Sequence, residues 1–497
     1  MKRALVSAAL AVSCTLAGHA HAGGLYFSDR GVRPLGRGGA FVAGADDAGA
    51  VYYNPAGLAF TGHQLLIDAA WLQYSSTYQR KALLHQNDPN TGQPTNQTFV
   101  QTFHAVKGSS PVLPIPTLAY ADNFGVDKAN FALAAWAPYA AISSYPQTFN
   151  GKPAPQRYSL ISLDGSALAV VGLYASYKPD KHIALGAGIE MLSGFFTSTV
   201  VFNTCPPDRF ICAPEQPEYD ALSRLKVGPI FAPTGTVGAI LVPDDMLRFG
   251  LSFHLPYWIN SPAKVDVRLP SAPIFQNAKQ QGNSANVKFQ LPWTLRGGVE
   301  VRPAKRTRVE VAGVYEAWSM HDSIVMTPDN IKLTGVSGFP SEYTVNTIKL
   351  DRGFKNTWSV RLGAEQGFDI GDYGLDVRAG VMYEKGAIPN KYLSALTVDL
   401  DKITLAVGGS LHVGKWRFDG TYARVMGTAA KVDPKTAGIT QVNPVRANPP
   451  QYPDRINGGY YKANANVYGV GLAYQFDASD KKSKPAAAIH GSAGASD

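Results

Sequence analysis

The chain has 497 residues, a formal charge of +9 and 45% hydrophobic residues. Its basic residues are scattered among acidic ones, so no basic stripe for nucleic acid is present. Beyond the first two dozen residues no run of 18 apolar residues occurs, which excludes a transmembrane helix. A mean hydropathy of −0.10 fits a soluble protein or a membrane barrel, in which only alternate strand residues meet lipid.

Residues 1–22 read as a secretory signal peptide. Lys2 and Arg3 precede an apolar run from Ala4 to about Ala17, and Ala20-His21-Ala22 supplies the small-x-small cleavage pattern before Gly23. The alternative, lipidation at Cys14, lacks the expected leucine in Ala11-Val12-Ser13-Cys14 and lies too early. Residues 23–62 do not alternate. They are rich in Gly and Ala, which let backbones pack closely in a confined space, as a plug inside a wide barrel must.

Residues 63–476 read as the barrel. From Val112 onward, segments of about ten residues alternate with period two. Leu247, Phe249, Leu251, Phe253 and Leu255 are set against Arg248, Gly250, Ser252 and His254. Trp358, Val360, Leu362 and Ala364 are set against Ser359, Arg361, Gly363 and Glu365. The last such segment sets Tyr468, Val470, Leu472, Tyr474 and Phe476 against Gly469, Gly471, Ala473 and Gln475. A helix would scatter these residues over all its faces, whereas a strand keeps one face apolar.

The connections separate a sandwich from a barrel. Short turns near Gly125, Asp180, Asp244, Ala304, Gly371 and Gly414 alternate with long loops near 81–110, 139–163, 204–224, 269–285, 329–356, 386–400 and 428–464. The pattern predicts an all-β, 14-stranded antiparallel transmembrane β-barrel of the bacterial outer membrane, in which the Gly- and Ala-rich segment before the first strand can serve as an N-terminal hatch. Its surroundings would be outer-membrane lipid and lipopolysaccharide, and the barrel assembly machinery would be a partner. Aromatic residues near strand ends, such as Trp293, Trp358, Tyr383, Trp416 and Tyr474, suit interfacial girdles. The predicted lumen face is charged, with Arg248, Arg296, Glu300, Arg308, Glu310, Arg361, Glu365, Arg378, Arg417 and Asp419.

Cys205 and Cys212 flank a short loop in an exported chain, which predicts a disulfide; two free thiols are the alternative. The histidines His63, His85, His104, His182, His254, His321, His412 and His490 are scattered, and none pairs at metal-ligand spacing. Gly335-Val336-Ser337-Gly338 only approaches a hydrolase elbow, so no catalytic residue, cofactor or metal is assigned. Residues 477–497, rich in Ala, Lys, Ser, Gly and Asp, read as a disordered periplasmic tail.

Within the hatch segment stand Leu35-Gly36-Arg37, Asp46-Asp47-Ala48-Gly49 and Asn54-Pro55-Ala56. In that order and near that spacing they resemble the FadL/TodX family of outer-membrane transporters for long-chain fatty acids and aromatic hydrocarbons. The resemblance implies that the hatch fills the lumen and that Leu25, Tyr26 and Phe27 touch the ligand. It also implies a kinked third strand, about Asn130–Pro138, beside a lateral gap in the wall. Trp136 and Pro138 are the residues expected to interrupt that strand; a proline that merely ends it is the alternative. Arg157 is the candidate cation for a fatty-acid headgroup, with a solvated loop arginine as the alternative. The partner so implied is a hydrophobic small molecule, a long-chain fatty acid with an alkane or monoaromatic as the alternative, taken up by passive diffusion and released sideways into lipid when a hatch movement opens the gap. A general porin and an outer-membrane lipid hydrolase are the competing readings.

Overall fold

A strand with one apolar face can bury it against lipid, and closing the sheet removes the unpaired edges. The computed structural model describes residues 29–91, 94–110, 114–137, 143–204, 215–338, 340–442 and 455–476. Fourteen antiparallel strands close into one barrel. They are β1 (Gln64–Asn87), β2 (Pro94–Ser109 continued by Pro114–Asp122), β3 (Ala129–Trp136), β4 (Ala167–Tyr177) and β5 (Ile183–Asn203). Next come β6 (Asp220–Asp244), β7 (Leu247–His254 and Tyr257–Arg268), β8 (Ser284–Leu291 and Thr294–Ala304) and β9 (Thr307–Glu316 and Ser323–Pro328). The last are β10 (Ile348–Asp351 and Thr357–Ile370), β11 (Tyr373–Glu384), β12 (Lys402–Val413), β13 (Trp416–Gly427 and Ala430–Val432) and β14 (Gly459–Gln475). Closure is made by β1 on β14, in unbroken register from Gln64 opposite Gln475 to Arg80 opposite Gly459.

Burial is inverted relative to a water-soluble sheet. Phe249, Leu251, Val360, Leu362, Leu405, Val407 and Val470 are exposed, while Arg248, Ser252, Ser359 and Arg361 between them are buried. The exposed side chains face lipid and the buried ones face the lumen. Neighbouring rings bracket this apolar belt. Trp293 with Tyr315 and Trp358 with Tyr383 lie toward the long-loop end, and Trp416 with Tyr474 lies at the short-turn end. All six short reversals stand where the alternation predicts them. Gly371 and Gly414 turn with φ of 61° and 57°, a region that suits glycine.

The long connections differ from the expectation. The segment 81–110 is mostly strand, since β1 and β2 run on together to Asn87 and Pro94. Asn96 to Thr102 are exposed on both faces, so water on either side leaves no apolar face to read. Likewise 269–285 and 329–356 contribute Lys279–Gln281, Lys332–Thr334 and Glu342–Thr344 to a small separate sheet. The signal-peptide segment, Cys205, Cys212, Pro138 and the C-terminal tail lie outside the described residues.

Candidate functional site

The hatch, from Asp29 to Gly62, lies inside the lower lumen, and nearly all of it is buried. It is built from two short helices, α1 (Val32–Gly36) and α2 (Ala50–Tyr53), and a 3-10 turn over Pro55–Phe60. The wall makes room for it with glycine. A Cβ on Gly363 or Gly380 would collide with the backbone at Arg37, and one on Gly186 with the backbone of Pro55 and Ala56.

Each of the three hatch motifs fastens this plug to the wall. Arg37 is fully buried and its Nη2 donates to Glu300 at 2.8 Å and Glu310 at 3.2 Å. Glu310 in turn accepts the backbone N–H groups of Val42, Ala43 and Gly44. Gly36 packs against Gly408 of β12. Asp46 pairs with Arg33 at 2.7 Å and with Arg308 at 2.9 Å, and Asp47 pairs with Arg417 at 2.9 Å. Burial alone would raise the Asp46 carboxyl, but Arg308, Arg33 and Arg302 outweigh it and hold it at about 2. Asn54 donates to Val42 O at 3.0 Å and to Ala239 O of β6 at 3.1 Å, while its Oδ1 accepts the N–H of Ala56. Pro55 starts the 3-10 turn, where its missing N–H costs nothing. His254 and His412, on the lumen face, are held by Glu190 at 2.8 Å and Asp376 at 2.7 Å.

Above the hatch the inward residues change character. A cavity of about 240 Å³ is lined by Leu72, Leu168, Leu192, Phe196, Leu225, Ile230, Ile259, Val287, Phe289, Leu291, Ile324, Leu350 and Val425. A smaller one of about 60 Å³ lies farther out along the same strands, lined by residues that include Phe202, Val265, Met326, Leu333 and Ile348. On β9, Ile324 faces the larger cavity and Met326 the smaller; on β10 the same holds for Leu350 and Ile348.

The larger cavity has a polar end formed by Arg352 and His321. Arg352 is buried and its Nη2 donates to Thr397 Oγ1 at 3.0 Å, but no carboxylate pairs with it among the described residues. Burial pulls its pKa down to about 10. Its guanidinium carbon stands 5.4 Å from the centre of the Phe354 ring. Lys402, which also lines the cavity, is already paired with Glu384 at 2.5 Å.

Arg157, the cation singled out from sequence, does not line this cavity. It is buried in the loop network, with Asp220 at 2.7 Å and Glu215 at 3.4 Å, so its charge is already matched. Arg352, nearly two hundred residues later in Leu350-Asp351-Arg352-Gly353-Phe354, carries no sequence signal that would distinguish it from any loop arginine.

β3 is the shortest of the uninterrupted strands. Trp136 does not break its alternation: the residue keeps register with Thr117 and Val170 and turns inward. There it packs edge-on to Tyr52 of the hatch, with ring centres 5.0 Å apart, and its Nε1 donates to Tyr174 at 3.3 Å. Just past it, Arg30 Nε of the hatch donates to Ala137 O at 2.6 Å. Among the described residues, regular pairing of β2 with β3 stops at Thr117 and Trp136. Farther out the wall is spanned by the single bridges Ser109–Ser144, Ser144–Ser162 and Ser162–Thr199. Pro114 and Pro116 of β2 flank this stretch and offer no N–H to a neighbour. Leu25, Tyr26 and Phe27 precede the described residues.

No curated protein matches the sequence. Among solved structures, a Pseudomonas aeruginosa FadL homologue superposes with a TM-score of 0.67 at 16% identity, covering 91% of this chain and 100% of that one. The P. putida toluene transporter TodX superposes with a TM-score of 0.60 at 12% identity, covering 90% and 99%. The Ralstonia pickettii toluene transporter TbuX gives 0.52 at 13% identity, covering 90% and 99%. At these identities the superpositions establish the shared fold. The sequence itself matches the family described as outer membrane protein transport protein (OMPP1/FadL/TodX) over residues 13–476. The chain belongs to the FadL/TodX family: it is an outer-membrane β-barrel that transports hydrophobic compounds and is not an enzyme.

Proposed function

We propose that this transporter takes up long-chain fatty acids, and that it releases them sideways into the membrane beside β3. The observation that carries the substrate is Arg352, with no carboxylate partner among the described residues, in a mainly apolar cavity. A 16-carbon tail gains on the order of 10 kcal/mol in such surroundings, at about 0.8 kcal/mol per methylene. A guanidinium buried without a carboxylate is costly until an anion joins it. Toluene or an alkane would fill the apolar part and leave Arg352 as it is.

The direction of release is supported by the contrast between the two exits. Below the cavity, buried ion pairs fasten the hatch to the wall. Beside it, the hatch touches the end of β3 through a hydrogen bond from Arg30 and a ring contact from Tyr52. In this reading the ligand collects in the outer cavity, moves to the larger one, and leaves when the Arg30 contact opens. A general porin would need a water-filled bore, which the hatch occupies. Uptake of labelled oleate and labelled toluene by cells carrying Arg352→Met tests the substrate. The expected result is at least a tenfold loss of oleate uptake at limiting concentration with toluene uptake unchanged; equal loss of both, or of neither, contradicts it.

A further inference from the structure

Arg352 and its neighbour at the cavity's polar end have opposite hydrogen-bonding roles. His321 is fully buried, lines the same cavity, and has its Nδ1 2.7 Å from the carbonyl oxygen of Gln290. A carbonyl can only accept, so Nδ1 carries the proton and Nε2 is a bare acceptor. That Nε2 has no partner among the described residues, and neither does Nε of Arg352. Both side chains touch the ring of Phe354, at 5.0 Å for the imidazole and 5.4 Å for the guanidinium. The polar end therefore offers one donor and one acceptor, both shut off from water.

A carboxylate can only accept, so it would satisfy Arg352 and set a lone pair against His321. A carboxylic acid satisfies both, its carbonyl oxygen accepting from Arg352 and its O–H donating to Nε2. We infer that His321 makes this site selective for an end group bearing a proton on oxygen, so that a fatty acid binds together with one proton taken from solution. The balance is the same if that proton crosses to Nε2, since an imidazolium facing a carboxylate holds the same single added proton. An alcohol meets both nitrogens and needs no added proton.

The charges around His321 fit an empty site that is neutral at the imidazole. Arg352 faces it from β10, Asp322 follows it on the same turn, and Glu316 accepts from Trp318 beneath it at 3.1 Å. Asp399 and Lys402 also line the cavity, and Lys402 is paired with Glu384. Burial, helped by the charge of Arg352, holds the free imidazole down at about 4.

This inference rests on the fatty-acid reading, and the test separates the two. The purified full chain in lipid nanodiscs is titrated calorimetrically with dodecanoate and with 1-dodecanol between pH 6 and 9, in two buffers of different ionisation heat. The expected result is uptake of about one proton per dodecanoate, with affinity falling about tenfold per pH unit. Dodecanol binding should show neither. His321→Phe, whose ring suits the surrounding Trp318, Phe289 and Phe354, should bind dodecanoate without proton uptake. Dodecanoate binding without proton uptake in the native chain, or uptake that persists in His321→Phe, overturns the inference and leaves the fatty-acid reading intact. Binding of neither probe overturns the reading on which it stands.

Discussion

The lower and upper halves of the lumen are lined by the same strands and have opposite chemistry. On β8, Arg296 and Glu300 face inward below, while Val287 and Leu291 do so above. On β13, Arg417 and Asp419 give way to Val425; on β1, Asp68 gives way to Leu72. The lower half is a polar solid in which most hatch and wall charges pair with one another. The upper half is mainly apolar around the cavity, where Arg352 has no carboxylate partner among the described residues. A greasy ligand gains nothing by entering the first and much by entering the second, as the proposed lateral route requires.

That comparison can be broken most forcefully from below. Arg37→Met leaves Glu300 and Glu310 facing each other without their shared arginine. Removing one partner of such a buried pair should cost about 3–5 kcal/mol, measured by urea unfolding in detergent. A milder intrusion is Gly363→Leu, whose side chain needs the space held by the Arg37 backbone. It should cost about 1–3 kcal/mol and, by displacing the hatch, raise ion conductance in planar bilayers above that of the native chain. The smallest effect belongs to the upper half. Ile324→Ala trims a half-buried cavity wall and should weaken dodecanoate binding about fivefold, about 1 kcal/mol, without adding conductance.

Much of the fold is legible in the sequence because lipid imposes a strict rule on every membrane strand. Leu247 to His254 and Val467 to Phe476 obey it, and all six short turns follow from where it stops. The rule lapses above the membrane, which is why the β1–β2 extension through Asn96 to Thr102 reads as a loop. The hatch motifs are visible as words, but their function is not. Arg37 meets Glu300 and Glu310 some 260 residues away, and Gly363 is needed only because Arg37 lies over it. The cavity was the least legible part. Alternation places Val425 and Arg417 on the same inward face and says nothing of the height at which charge yields to apolar lining. Arg157 and Arg352 are both loop arginines in the sequence, and only the carboxylates folded against the first tell them apart.

The account stands on ligand never passing the hatch. Val42 of the hatch and Gly298 of β8 are close enough that a Cβ on the glycine would lie 3.0 Å from that of the valine. A Val42→Cys, Gly298→Cys pair, oxidised to a disulfide in the outer membrane, would pin the plug to the wall. Uptake of labelled oleate should then stay within about twofold of the reduced form, since only the contacts at β3 need to open. If oxidation stops uptake and reduction restores it, the ligand travels through the lumen and the lateral route is wrong.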